Sequence, residues 1–151
     1  MTVSTQSIAQ SPMFANISAE TLQAFAALAT ETTCAKDTTL FEEGDAANKL
    51  YILLEGKVLI KVHIASRSEQ VCIAVLNHPG QLIGWSGFLT DNRYTATATC
   101  SEDSRLVAFD GNAFVKALKA DPVTGFTVMW HISEVISGRL RNIQRLVLKT
   151  L

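Results

Sequence analysis

The chain has 151 residues, 48% hydrophobic and 18% charged, with 13 Lys and Arg against 14 Asp and Glu for a net charge of −1. That balance excludes a disordered chain and leaves no basic block to read nucleic acid. The apolar runs are too short to span a bilayer, and the first residues lack the basic-then-apolar order of a secretion signal. One domain of this size buries roughly 70% of the surface its unfolded chain exposes, so it needs no metal or disulfide to hold it. The odd set Cys34, Cys72 and Cys100 therefore reads as small buried hydrophobes in a reducing, cytoplasmic setting.

In chain order, residues 1–11 read as a flexible polar tail and residues 12–151 as one domain. Ser18 predicts an N-cap for a helix through Glu20, Leu22, Phe25, Ala26 and Leu28, whose apolar spacing of three and four suits a helix packed on a larger body. From Thr38 to Asp110 the pattern turns to short β-type runs: Leu50 to Leu54, Val58 to Ile64, Val71 to Leu76, Tyr94 to Cys100 and Leu106 to Phe109. A hairpin tip is expected at Ser66-Arg67-Ser68-Glu69. Gly44, Gly56 and Gly80 fall between the runs, where a tight turn or a positive φ is needed, and read as shaping residues rather than ligand contacts. Asp110 caps a short helix with Phe114 and Leu118, and Asp121-Pro122 opens a long one to Leu151. The fold expected is mainly β with flanking helices: a double-stranded β-helix, or jelly roll, followed by a long C-terminal helix over residues 122–151.

The order of these segments resembles the cyclic-nucleotide-binding domain family, and in particular the sensory half of the Crp/Fnr bacterial regulators. The likeness rests on Pro12-Met13-Phe14 with Ser18-Ala19-Glu20, on Leu40-Phe41-Glu42-Glu43-Gly44-Asp45, on Leu50 to Val58 around Glu55-Gly56, and on Pro79-Gly80-Gln81-Leu82-Ile83-Gly84. The resemblance implies a phosphate-binding cassette at Gly84 to Thr97. In the family that cassette runs Gly-Glu, a short helical turn, then Arg and small residues. Here Trp85 stands in the Glu slot and Tyr94 in the Arg slot.

The chemistry of such a site is simple. A helical turn offers backbone N–H groups to a phosphate, Arg makes a charge-assisted contact to the same phosphate, and Glu accepts from the ribose hydroxyl. The residues expected to face a ligand are Gly84, Trp85, Ser86, Gly87, Arg93, Tyr94 and Thr95. Gly84, Ser86 and Gly87 would keep the turn. Indole only donates, so Trp85 cannot accept from a ribose hydroxyl, and Tyr94 brings no charge. Arg93 lies one residue from the matched slot, which in a strand points it to the opposite face unless a bulge re-aims it. Losing the charged partner costs on the order of 2–5 kcal/mol and losing the ribose acceptor about a further 1–3 kcal/mol, enough to turn a micromolar site into a millimolar one.

Three outcomes stay open: an altered pocket for a flat or apolar ligand, a weakened site for a cyclic nucleotide (cAMP or cGMP) or another small nucleotide, and a roll whose pocket Trp85 and Tyr94 simply fill. No catalytic motif appears, and His63, His78 and His131 lack the His-x-His pattern of a metal-binding cupin, so neither an enzyme nor a metal site is expected.

Phe126, Met129, Ser133, Ile136, Leu140, Ile143, Val147 and Thr150 form a seam at alternating steps of three and four on the last helix, which predicts a homodimer through its apolar members. The family's regulators continue into a DNA-binding domain, whereas this sequence ends at Leu151, so direct DNA binding is not expected. The function expected is a regulatory or sensor module signalling through a helix-mediated dimer, to itself or to a partner protein. The alternative is a ligand-free interaction scaffold.

Overall fold

The computed structural model describes residues 3–65, 68–89 and 92–151. Part of the expected hairpin tip (66 and 67) and part of the cassette (90 and 91) lie outside them. Two four-stranded antiparallel sheets form the roll. One has β1 (Ala29–Cys34), β8 (Ser104–Asp110), β3 (Lys49–Glu55) and β6 (Leu82–Ile83) in that order. The other has β2 (Thr39–Phe41), β7 (Thr97–Cys100), β4 (Val58–His63) and β5 (Gln70–Leu76). Helices α1 (Thr5–Ala9), α2 (Ala19–Ala26), α4 (Gly111–Ala120) and α5 (Pro122–Thr150) and the 3-10 turn Pro12–Phe14 sit outside the roll, and the one-turn helix α3 (Ser86–Leu89) lies within the cassette.

β3 explains why the fold has two cores. Leu50, Tyr51, Ile52 and Leu53 are all buried, because both faces of this central strand are covered. Tyr51 and Leu53 join Val58, Ile60, Ile83, Ala98 and Leu106 between the sheets. Leu50 and Ile52 join Val107 and Phe109 under the helices. There Phe14, Phe25, Phe88, Phe109 and Phe114, five of the chain's seven phenylalanines, cluster around Phe114 and Phe14 with ring centroids 5.2 to 6.5 Å apart.

The helix starts lie where their chemistry places them. Thr21 N donates to Ser18 Oγ at 3.2 Å, Ala113 N to Asp110 Oδ2 at 2.9 Å, and Thr124 N to Asp121 Oδ1 at 3.3 Å with Pro122 in the first turn.

Four expectations need correction. Residues 3–11 are not a loose tail: Ser4 caps α1, and Val3 and Ile8 are buried in the helix-side core. Strand β1 was not expected, since Thr30 to Thr33 carry too little apolar character to read as buried; it is held by a continuous ladder to β8. The strand expected from Tyr94 starts only at Thr97, because residues 92–94 pair instead with the Glu42–Ala47 turn through Gly44 N to Tyr94 O at 2.8 Å and Ala47 N to Asn92 O at 2.7 Å. Cys72 is exposed, while Cys34 and Cys100 are buried.

The exposed stripe of α5 also differs from the expected seam. Met129 and Ile136 pack on the chain's own helix-side core, and Ile143 is half-buried. An outward stripe runs through Phe126 (69% exposed), Trp130 (60%), Ser133, Ser137, Leu140 (55%), Gln144, Val147 (51%) and Leu151, all open to solvent. They still alternate by four and three, so the stripe keeps a heptad period in a neighbouring register.

Gly44, Gly56 and Gly80 all have positive φ, at 89°, 112° and 94°. At Gly56 a Cβ would also lie 2.2 Å from Ser104 Oγ and 2.7 Å from Asp103 O. Ser104 Oγ is itself engaged, accepting from Lys57 N at 3.1 Å and donating to Glu102 O at 2.9 Å. Gly56→Ala is expected to lower the unfolding free energy by at least about 1–3 kcal/mol, read as a shift of the urea midpoint at unchanged slope.

Candidate functional site

The cassette region meets the roll at Tyr94. The backbone approaches through Asn92 in the left-handed region (φ 57°), a conformation Asn tolerates. Arg93 then faces out and Tyr94 faces in. Arg93 Nη1 donates to Gly44 O at 2.8 Å on the exposed side, so its side chain is spent on the neighbouring turn and does not enter the roll. Tyr94 is buried between the sheets. Its ring stacks on Phe41 with centroids 3.7 Å apart and planes 12° from parallel, and its hydroxyl donates to Lys49 O at 2.7 Å. Burial, with Tyr51 alongside, pushes the phenol up to about 12, so it stays neutral and serves as a donor. Gly84, with φ 86°, lies against the same ring: a Cβ there would meet Tyr94 Cε1 at 3.2 Å.

Trp85 takes another course. It is half-buried against the helix-side core and does not enter the roll interior beside Tyr94. Arg139 from α5 covers it, with the guanidinium carbon 4.3 Å from the ring centroid. Arg139 Nη2 also donates to the carbonyl of Leu82 on β6. Burial lowers its proton affinity to about 10, still well above neutral pH, so the cation persists.

These side chains divide the space beneath the cassette. A cavity of about 40 Å³ remains among Phe41, Ile60, Gly84, Ser86 and Thr95, room for no more than a few waters. An adjoining chamber of about 260 Å³ shares Ile60, Trp85, Thr95, Ala96 and Arg139 with it. Val62 of β4 and Ile73 and Ala74 of β5 form its apolar wall, and Arg139, Asn142 and Ile143 of α5 its roof.

Of the residues expected to face a ligand, Gly84, Trp85, Ser86 and Thr95 converge on these two spaces. Ser86 is buried and its Oγ accepts from Thr95 N at 3.4 Å. Gly87 lies in α3. Tyr94 occupies interior space as a core ring, and Arg93 points away. Arg139 is the residue that sequence reasoning missed. The signal was present: it falls on the stripe Gly125, Val128, Ile132 and Val135 that faces the roll, a cation at an apolar position. Among the described residues no three His, Cys, Asp or Glu side chains converge as a metal site, and no helix is long and apolar enough to cross a membrane.

With this geometry in view, the comparisons with known proteins decide the family. A family model described as the cyclic nucleotide-binding domain matches residues 31–121. The chain belongs to the cyclic nucleotide-binding domain family. It is 27% identical over 103 residues to the cyclic AMP receptor protein of Thermus thermophilus, a match covering 68% of this chain and 44% of that relative. The chain thus spans less than half the length of the curated relative it matches. Among solved structures it resembles a cyclic nucleotide-binding domain of Methylobacillus flagellatus (TM-score 0.85, 21% identity, 97% of this chain and 84% of that one). It also resembles the regulatory subunit of a cAMP-independent protein kinase A from Trypanosoma brucei (TM-score 0.77, 14% identity, 97% and 50%). At these identities the two structures establish the fold. The cyclic nucleotide-binding roll is therefore present, with Tyr94 packed inside it and Arg139 brought against Trp85 from the helix.

The two aromatic substitutions are expected to differ in stability. Tyr94→Ala should cost about 3–5 kcal/mol, as for a fully packed ring. Tyr94→Phe, which loses only the bond to Lys49 O, should cost about 0.5–1.5 kcal/mol. Trp85→Ala should cost clearly less than Tyr94→Ala, since its ring is half-exposed. Urea unfolding of the three variants checks the order.

Proposed function

We propose that this chain is a regulatory module of the cyclic nucleotide-binding type that has given up the usual cyclic-phosphate contact. It takes a smaller ligand in the chamber under α5 and passes occupancy through that helix to a second copy of the chain. The observation that carries this reading is the stack of Tyr94 on Phe41, which leaves about 40 Å³ at the cassette end while about 260 Å³ stays open beside it. Pockets for drug-sized ligands run to roughly 300–1,000 Å³, so the chamber suits a ligand below a nucleotide in size. The Trypanosoma brucei neighbour, described as the regulatory subunit of a cAMP-independent kinase, supports the idea that this fold serves regulators that do not answer to cAMP.

The dimer is supported by the heptad-spaced stripe on α5, whose large apolar side chains have no cover within the chain. Ser133 and Ser137 at its centre would let two helices approach closely. The match to a family of cyclic nucleotide-binding domains supports a sensor rather than an enzyme. Three cysteines, none in a disulfide, fit a reducing cytoplasmic setting. A ligand-free scaffold is the second reading, favoured by the closed cassette end; the open, one-sidedly apolar chamber is the observation against it.

Isothermal titration with cAMP and cGMP tests the first part: no binding is expected below millimolar concentration, and a micromolar dissociation constant for either would overturn it. Sedimentation equilibrium tests the second. Wild-type protein is expected to be dimeric at micromolar concentration, and Trp130→Asp and Leu140→Asp to be monomeric with unchanged circular dichroism. A monomeric wild type would sink the dimer.

A further inference from the structure

We propose that the chamber ligand is a small amphipathic anion, an apolar body with one acidic head group, and that Arg139 holds the head group. This rests on the reading of the chamber as a ligand site. The body is argued from the wall, where Ile60, Val62, Ile73 and Ala74 offer apolar surface and the Trp85 ring a flat edge. The head group is argued from Arg139, whose guanidinium is held between the roll and α5 by the Trp85 ring and the Leu82 carbonyl.

Neither of those partners carries a negative charge. Among the described residues the ion pairs are those of Arg105 with Glu31 and Glu55, and no Asp or Glu lines the chamber or the spaces beside it. A half-buried guanidinium without a counter-charge carries a desolvation cost, and an acid arriving beside it both forms an ion pair and adds charge-assisted hydrogen bonds. Among the described residues burial is the cause that lowers its proton affinity.

The surroundings favour the same sign of charge. On its other side Arg139 borders a groove of about 450 Å³ that Arg141 and Arg145 also line. Three cations without an acid among them produce a local positive potential that draws anions toward the chamber. The cation the family pattern places on the cassette is here supplied by the helix, so the ligand would be gripped between α5 and the roll. Arg139 faces the roll and the next residue, Leu140, lies on the exposed stripe, so capture of the head group and the position of the stripe are two properties of one helical turn.

The test is titration of the full chain with 4-phenylbutanoate and octanoate, each against its neutral amide. Binding is followed by calorimetry and by Trp85 emission in a Trp130→Phe background, which leaves Trp85 as the sole tryptophan of the chain and blind to binding on the outer stripe. At least one acid is expected to bind roughly tenfold or more tightly than its amide, as a hydrogen bond to a charged group warrants. Arg139→Gln should abolish that preference, and Arg139→Lys, which keeps the charge, should retain part of it. Equal affinity for acid and amide overturns the anion while leaving the chamber as a ligand site. A preference that survives in Arg139→Gln overturns the role of Arg139. If none of the four binds and Trp85 emission stays unchanged to millimolar concentration, both the anion and the chamber reading fall.

Discussion

The Tyr94 ring, clamped between Phe41 and the Gly84 backbone with its hydroxyl on the Lys49 carbonyl, is the contact around which the cassette region is organised. A phenol in this position fills with apolar surface the space where an anion would need a cation. It also satisfies the carbonyl of Lys49 without introducing a charge between the sheets. Gly84 has to be glycine beside it, since its φ is positive and a Cβ would press on the ring. The left-handed Asn92 has to turn the chain so that Arg93 lies outside. The packing of one ring is therefore matched by the backbone geometry of its neighbours.

The second consequence is a relocation of charge. With a neutral ring at the cassette, the cation nearest the remaining space is Arg139, on a different element. It reaches its place because α5 lies along the roll through Val128 and Ile132, with Val135 and Ile136 partly buried behind them. A planar guanidinium can stack on Trp85 and still donate in its own plane to Leu82, which the ammonium of a lysine could not do. Arg139 thus acts as a latch between the roll and the helix, made of one ring and one carbonyl.

That latch links two faces of α5 that differ in chemistry. The roll-facing side carries Gly125, Val128, Ile132 and Arg139, while the outer side carries Phe126, Trp130, Leu140 and Val147. The β-roll is the body on which α5 rests, with its central strand β3 buried on both faces.

Much of this was legible in the sequence where local chemistry is decisive. The caps at Ser18, Asp110 and Asp121, the positive-φ glycines and the long apolar run of β3 are each set by a few adjacent residues, and so is the family frame. Strand β1 was hidden because threonines on a half-exposed strand carry little apolar signal, and α1 because a short polar segment is ordered only by the core it touches. The register of the outer stripe was ambiguous for a related reason: α5 carries two apolar stripes, and periodicity alone does not say which one the roll takes. Whether Trp85, Arg93 and Tyr94 point inward, and that Arg139 meets Trp85 from more than fifty residues away, was decided only by the tertiary structure, because those positions depend on how the Glu42–Ala47 turn and α5 pack against the roll. Sequence thus determined the fold and the family frame, which local chemistry sets; packing over long range determined which of these side chains meet.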